Sequence, residues 1–302
     1  MGFKCGIVGL PNVGKSTLFN ALTASKNAEA ANFPFCTIDP NIGIVDVVDE
    51  RLDQLSKLSN SKKKIYTNIT FVDIAGLVKG ASKGEGLGNK FLSHIREVDA
   101  IIHLVRCFDS DKITHVNSKI NPVDDLETIK TEIILSDLDI IQKKLEKGKK
   151  KLLDKKDVEI LEDKLKQLNN GREIVVNNKD ELKFLTTLGL LSIKPKIIVC
   201  NVDEESLAEG NSFTESIKKN YSKEKVVTIC ADIEDQIMDL DNNERETFMK
   251  EIGLNKTGLN QLIKEGYELL NLDTFFTSGP EESRAWTIEK NTPAPKAASV
   301  IH

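Results

Sequence analysis

Short apolar runs recur along the chain and predict β-strands, because they are brief and rich in β-branched residues. They cover residues 3–8, 42–48, 69–72, 100–105, 196–200 and 225–229. Helical patterns, such as those over 17–23 and 89–98, lie between several of these runs. Strands that alternate with helices favour an α/β fold with a mainly parallel, doubly wound sheet.

A second pattern, with apolar residues three and four positions apart, predicts two helices within the segment 124–194. The apolar positions are Leu126, Ile129, Ile133, Leu138, Ile141 and Leu145, followed by Val158, Leu161, Leu165 and Leu168. We interpret the segment as an inserted antiparallel hairpin of coiled helices. Its tip, residues 143–156, holds eight lysines against two acidic residues. Such a tip is either simply solvated or contacts nucleic-acid phosphates.

The pattern changes again near the end of the sequence. Segments 274–277 and 283–288 alternate like two short strands around a Ser-Gly-Pro turn, and residues 292–298 predict a helix start. About 28 residues cannot bury a core of their own. We therefore expect 274–302 to be the start of a truncated domain.

Composition removes several classes of function. The 302 residues are 39% hydrophobic and 29% charged, and the net charge of −5 argues against DNA and general nucleic-acid binding. The sequence has neither an apolar run long enough to span a membrane nor room for a signal peptide before the first strand. Five scattered cysteines predict no zinc site and no disulfide framework. We expect a monomeric protein of the reducing cytoplasm.

The most informative motif follows the first predicted strand. Residues 9–16 read Gly-Leu-Pro-Asn-Val-Gly-Lys-Ser and match the phosphate loop of nucleoside triphosphatases. Glycines let consecutive N–H groups turn towards phosphate oxygens, and the next helix adds its N-terminal dipole. The lysine would reach the β- and γ-phosphates, and the serine would bind Mg²⁺. The predicted nucleotide contacts here are Asn12, Val13, Gly14, Lys15, Ser16 and Thr17.

Two further segments are placed to sense the γ-phosphate. Asp73-Ile-Ala-Gly76 lies at the end of a predicted strand, where the carboxylate can hold Mg²⁺ and the Gly76 N–H can touch the phosphate. Thr37 lies in a loop that Pro34 and Pro40 keep non-helical. We predict that Ser16, Thr37 and Asp73 form the metal site.

The base-binding segment is expected after strand 196–200. GTP-binding proteins carry Asn-Lys-x-Asp there, whereas this chain has Asn201-Val202-Asp203-Glu204. A longer carboxylate at Glu204 no longer fits the guanine edge, and an asparagine amide can pair with N6 and N7 of adenine. We therefore favour ATP over GTP, although loose guanine recognition by Glu204 stays open. Cys230 and Ala231 are predicted to form the second loop beside the base.

These motifs together resemble the YchF family, Obg-like P-loop ATPases of the translation-factor class. The resemblance rests on the phosphate loop, on Asn-Phe-Pro-Phe-Cys-Thr-Ile-Asp-Pro-Asn, on Asp-Ile-Ala-Gly-Leu-Val-Lys-Gly-Ala-Ser and on Arg-Ala-Trp-Thr-Ile. It implies a G domain over 1–123 and 195–273, a coiled-coil arm over 124–194 and a TGS domain of β-grasp fold from 274. It also implies Mg²⁺-dependent ATP hydrolysis and binding to the ribosome and its RNA, in translation or stress regulation.

The residue that places the attacking water is not obvious from the motifs. Ras-like enzymes use a glutamine directly after the Asp-x-x-Gly motif, but this chain has Leu77. His103 lies in an apolar strand and is expected to be a satisfied core histidine. His115 lies in a polar segment that resembles the family's catalytic loop. We predict that His115 acts in hydrolysis together with Lys15, with a packing role for His115 as the alternative.

Two other functions and one further ion remain open at this stage. The chain could be a GTPase of ribosome assembly, or a nucleotide-binding adaptor in which turnover is incidental, as Leu77 would fit. Asn12 either stabilises the turn of the phosphate loop or helps to hold K⁺ beside the phosphates.

Overall fold

A six-stranded sheet forms the centre of the computed structural model, which describes residues 3–24, 41–74, 87–110, 113, 120–148, 154–254 and 256–301. Its strands are β1 (Phe3–Val8), β2 (Asn41–Val47), β4 (Thr67–Asp73), β5 (Ala100–Arg106), β6 (Lys196–Asn201) and β7 (Lys225–Ile229). They lie in the order β2-β4-β1-β5-β6-β7. In this described sheet β2 alone runs antiparallel to its neighbour, so the predicted mainly parallel sheet is confirmed.

The strand order of the sheet reverses at β1 and so predicts a ligand-binding crevice at the carboxyl end of this strand. The chain passes from β1 to β4 on one side and then to β5 on the other. Ligands of open α/β sheets bind where the order reverses in this way, outside the carboxyl ends of the strands. Every residue of β5 is buried, as expected for a central parallel strand that is covered on both faces.

Seven helices outside the predicted arm accompany this sheet in the part of the chain that is described. They are α1 (Lys15–Ala24), α2 (Glu50–Leu58), α3 (Leu87–Arg96), α7 (Ser212–Asn220), α8 (Ala231–Asp239), α9 (Asn242–Glu251) and α10 (Gly258–Leu269). Several begin at side-chain caps: Asp49 accepts from the Arg51 N–H, and Thr257 accepts from the Asn260 N–H. None of the helices described is long and apolar enough to cross a membrane.

In its described residues, 124–148 and 154–194, the inserted arm contains three helices rather than the predicted two. They are α4 (Pro122–Gly148), α5 (Lys155–Asn169) and α6 (Lys179–Thr187). Ile129 and Ile133 pack into the main core, whereas Ile141, Leu161 and Leu185 share a separate apolar cluster. The two predicted helices are thus present as α4 and α5, which pack together, and the structure adds α6, which contributes Leu185 to the same apolar cluster.

A buried ion pair joins α5 to α6 within the arm. Lys164 and Glu181 expose 1% and 5% of their side chains, and their charged atoms are 2.6 Å apart. Lys164 also donates to the Val175 carbonyl at 2.8 Å, and Asn177 donates to the Glu181 carboxylate. Such a pair is tolerated in the interior because each charge has a partner and further hydrogen bonds.

The C-terminal segment forms the predicted hairpin, β8 (Leu272–Ser278) and β9 (Glu282–Glu289), followed by the short helix α11 (Ala294–Ala298). It does not stand alone. Strand β3 (Lys63–Ile65) pairs in parallel with β9 and makes a three-stranded sheet. The sequence pattern missed this strand because three largely polar residues give no periodic signal.

Hydroxyl groups fix the hairpin to the rest of the molecule. Ser61 donates to the Gly279 carbonyl at 2.7 Å and lies 2.8 Å from the Ser283 hydroxyl. At the other end, Thr287 donates to Thr67 at 2.8 Å, and the Tyr267 hydroxyl contacts both. The hairpin thus shares its hydrogen bonds with residues more than two hundred positions away.

We predict that the Lys164–Glu181 pair stabilises the arm only as a pair. Lys164→Met should lower the free energy of unfolding by about 3–5 kcal/mol, because it leaves a buried carboxylate without its cation. The double variant Lys164→Met with Glu181→Leu should recover most of that loss. Urea unfolding followed by circular dichroism measures both values.

An exposed pair in the same arm supplies the control. Lys143 and Asp139 expose 65% and 59% of their side chains, so Lys143→Met should leave the midpoint of unfolding almost unchanged. If the double variant is as unstable as Lys164→Met, the pair is not the source of the effect.

Candidate functional site

The loop between β1 and α1 has the backbone geometry of an anion site. Asn12 and Gly14 adopt positive φ angles of 62° and 91°, and α1 begins directly afterwards at Lys15. A side chain at Gly14 would also collide with the Asn201 amide, so glycine is required there for two reasons. Consecutive N–H groups and the N-terminus of α1 can therefore face a phosphate.

Lys15, at the start of α1, forms an ion pair with Asp73, at the end of β4. Asp73 ends β4 and lies opposite Ile7 of β1, so the parallel register brings the carboxylate beside the phosphate loop. The two side chains expose 13% and 9% of their surface. An isolated charge is costly at this depth. Lys15 therefore needs either Asp73 or a bound anion, and Asp73 needs either Lys15 or a bound cation.

The donors around Asp73 fit a magnesium ion. Ser16, at the second position of α1, is exposed and follows Lys15 directly in the chain. A hydroxyl and a carboxylate are hard oxygen ligands of the kind Mg²⁺ prefers. Thr17 lies one position further along α1 and is half-buried. Among the described residues no cluster of three or more His, Cys, Asp or Glu side chains could hold a metal ion by itself.

Asn201 ties three loops together at the carboxyl ends of the strands. Its Nδ2 donates to the Val13 carbonyl and its Oδ1 accepts from the Ala231 N–H, both at 3.0 Å. Its backbone carbonyl accepts from the Cys107 N–H at 2.7 Å. The amide is buried and holds the backbone, which differs from the expectation that it pairs with adenine.

The other predicted base-side residues divide into buried and exposed ones. Val202 is buried in an apolar cluster with Cys230 and Ile233, and Ala231 opens α8 at the same edge of the sheet. Glu204 is exposed, and its charge adds to burial in raising the pKa of the Cys230 thiol. The charge of Glu204 therefore acts on the predicted second base loop, while the roles of both in base recognition stay predictions.

Three predicted site residues, Thr37, Gly76 and His115, lie outside the described residues, as does Leu77. Their roles in metal binding, phosphate contact and hydrolysis stay predictions. The described site comprises the phosphate loop, the Lys15–Asp73 pair and the Asn201 bridge. These groups come from β1, α1, β4 and β6, and they meet at the edge of the sheet that the topology selects.

Sequence analysis passed over Arg106, the last residue of β5. Its guanidinium is fully buried and donates to the carbonyls of Phe108, Ser110 and Ile113 at 2.9–3.2 Å. It thereby fixes the segment that leads away from β5 at the site edge. The available signal was a cation in an otherwise apolar strand, since such residues are rarely buried without partners.

His103 in β5 and His94 in α3 each bury a ring nitrogen that makes no hydrogen bond. His103 is buried in β5 as expected, but its Nε2 has no hydrogen-bond partner. The Nδ1 atom of His94 in α3 is likewise buried without a partner. Burial lowers the pKa of His103 from 6.5 to about 3, so this imidazole is neutral near pH 7.

Two family models match the sequence. One is described as a 50S ribosome-binding GTPase and matches residues 4–179. The other is the C-terminal model of YchF GTPases, described as a protein of unknown function, and matches residues 272–302.

Several curated relatives are similar over the whole chain. The ribosome-binding ATPase YchF of Escherichia coli O157:H7 is 50% identical over 313 residues, which covers 100% of this chain and 85% of the relative. The protein of the same name from Bacillus subtilis is 49% identical over 314 residues, with the same coverage. Among solved structures, the YchF GTPase of Schizosaccharomyces pombe has a TM-score of 0.86 and 37% identity, and the match covers 100% of this chain and 84% of that one.

We predict that His103 makes the protein less stable in mild acid. Below pH 6.5 the unfolded chain binds a proton at this side chain, whereas the folded chain does not until about pH 3. Stability therefore falls as the pH drops, by about 2 kcal/mol between pH 6.5 and 5 from this group. His103→Leu should lack that part of the loss.

Urea unfolding at pH 7 and at pH 5 measures the effect. The difference in unfolding free energy between variant and wild type should shift in favour of the variant at pH 5. A constant difference at both pH values would contradict the assignment.

Proposed function

The chain belongs to the YchF family, and on that basis we propose that it is a Mg²⁺-dependent P-loop ATPase whose nucleotide state is coupled to ribosome binding. The observation that carries the hydrolase assignment is the Lys15–Asp73 pair beside a phosphate loop on parallel strands. The relatives named above as ribosome-binding ATPases support both halves of the proposal. Its place would be the cytoplasm, in translation or stress regulation.

Binding of nucleoside triphosphate requires the ion pair to open. Lys15 would turn to the β- and γ-phosphates, and Asp73 with Ser16 and Thr37 would hold Mg²⁺. When bound, the metal supplies positive charge that neutralises the charge developing on the phosphates. The N–H of Gly76 donates to the γ-phosphate, and His115 orients the attacking water in place of the glutamine that Leu77 replaces.

The preference for ATP rests on the segment after β6. Val202 is buried and cannot line the base as the lysine of GTP-binding proteins does. Glu204 stands where those proteins use aspartate to read guanine. Asn201, with Cys230 and Ala231, positions the loops around the base rather than reading it.

A GTPase of ribosome assembly is the second candidate. It is favoured by the description of the family model as a 50S ribosome-binding GTPase and by the name of the fission-yeast structure. The names of the relatives therefore divide between the two nucleotides, and direct competition between ATP and GTP decides the question. Direct binding of K⁺ beside Asn12, and contact of the lysine-rich tip 143–156 with ribosomal RNA, stay predictions of the same proposal.

Competition of ATP and GTP for the site is the test of the proposed nucleotide. The wild type should bind ATP more tightly in a titration against a fluorescent analogue. Glu204→Asp combined with Val202→Lys restores the guanine-reading pattern and should shift the affinity ratio towards GTP by roughly 5- to 150-fold, since a bidentate base contact contributes about 1–3 kcal/mol of discrimination. Because Val202 is buried, Glu204→Asp alone is measured as well, and it should shift the ratio in the same direction.

Glu205→Asp, at the exposed neighbouring position, is the matched control and should leave the ratio unchanged. A wild type that prefers GTP would favour the second candidate. An unchanged ratio in the double variant would remove Glu204 from base recognition.

Turnover separates an enzyme from an adaptor. His115→Ala should lower kcat about 100-fold with little change in ATP affinity, because its role is confined to the transition state. Lys15→Ala should damage affinity and turnover together, since it also removes a contact to the bound phosphates. Phosphate release over many turnovers, measured over a range of ATP concentrations with and without ribosomes, gives kcat and KM. Equal kcat for His115→Ala and wild type would exclude this histidine from catalysis.

A further inference from the structure

A chain of side-chain contacts runs from the phosphate site to helix α3. Ile74 follows Asp73 directly and is fully buried. A methyl group added at Gly6 would lie 2.7 Å from Cδ1 of Ile74 and 3.0 Å from Cγ2 of Val98. Ile74 and Val98 therefore both lie against the same point of β1, so the residue after Asp73 and the second residue after α3 share one packing position.

The end of α3 is in turn fixed to the arm. Lys194, in the segment that leads out of the arm, donates to the backbone carbonyls of Arg96 and Val98. The Arg96 guanidinium donates to the Ser136 hydroxyl of α4 at 2.8 Å. Arg96 and Lys194 thus connect the C-terminal end of α3 to the arm at two places: α4 and the segment that follows α6. We call this junction the root of the arm.

A buried carboxylate makes this root a single body. Asp137, next to Ser136 on α4, is fully buried. It accepts from the Leu191 N–H at 2.9 Å, from the Ser192 N–H at 2.8 Å and from the Ser192 hydroxyl at 2.6 Å. The outgoing and returning segments of the arm therefore move together, and charge-assisted bonds of this kind are among the stronger ones in proteins.

We propose that this joint, formed by Arg96, Ser136, Asp137 and Lys194, couples the nucleotide site to the arm. Asp73 has two mutually exclusive partners, Lys15 or a metal ion bound with triphosphate, and the exchange between them is the two-state element. The change passes through Ile74 and Val98 to the end of α3, and from there to the arm. The inference rests on the proposed function for nucleotide binding, but not for ribosome binding.

Amide hydrogen exchange at Leu191 and Ser192 tests the joint without ribosomes. The protein is saturated with a non-hydrolysable ATP analogue and Mg²⁺, or with ADP in the absence of Mg²⁺, so that the two states differ in the metal at Asp73; the concentrations are fixed by direct titration. In the wild type the exchange rates should differ between the two nucleotides by about fivefold or more, the lower end of typical coupling. Ser136→Ala and Arg96→Met should each remove most of that difference.

Tyr221→Phe is the matched control. The Tyr221 hydroxyl donates to Glu127 of α4 at 2.7 Å, so this variant also deletes one hydroxyl bond to α4, but at the contact with the end of α7. It should keep the wild-type difference. Equal rates with both nucleotides in the wild type would overturn the proposal, and so would a difference that survives in both Ser136→Ala and Arg96→Met.

Ribosome affinity gives a second readout of the same coupling. Purified ribosomes should bind the wild type with a different affinity in the analogue and ADP states, and Ser136→Ala should bring the ratio of the two affinities towards one. Ribosomes should change the analogue's affinity by the same factor. If the wild type binds no ribosomes, the ribosomal part of the proposed function fails, while the exchange rates still decide the joint.

Discussion

The ion pair of Lys15 and Asp73 is the interaction around which the rest of the site is arranged. It forms because β1 and β4 lie side by side in parallel and end at the same edge of the sheet. Neither charge can stay alone at this depth, so the pair ties the phosphate loop to β4. The same restriction makes the pair responsive, since a ligand that brings both an anion and a cation satisfies the two side chains separately.

Parts of the fold were readable from the sequence where the chemistry is local. Residues 9–16 carry their function within one loop, and Asp73 was found because it ends a clear apolar strand. β3 and α6 were missed because a three-residue polar strand and a short third helix acquire their stability from distant partners. The bridge made by Asn201 was not readable for a related reason: its amide bonds to Val13 and Ala231, which are remote in sequence.

The buried charges show the limit of pattern analysis most clearly. In the sequence Arg106 ends an apolar strand and Lys164 stands among charged residues, yet both are almost fully enclosed. Each is accommodated by carbonyls or a carboxylate that only the tertiary structure brings together. Burial of a cation is decided by its partners rather than by its immediate sequence, so periodicity could not have located Lys164, whereas Arg106 gave only the signal of a cation in an apolar strand.

The pairing of β3 with β9 has a consequence for the order in which the protein assembles. Lys63 of β3 lies opposite Glu282 of β9, so during synthesis β3 has no partner strand until about 220 further residues have been made. At ordinary rates of synthesis that interval is roughly 10 to 45 s. Throughout this interval the lysines at 62–64 oppose pairing of the unpaired strand with other chains, because charged residues at a sheet edge disfavour such pairing. The polar character that hid this strand from pattern analysis is thus what keeps it from aggregating on the way to its partner.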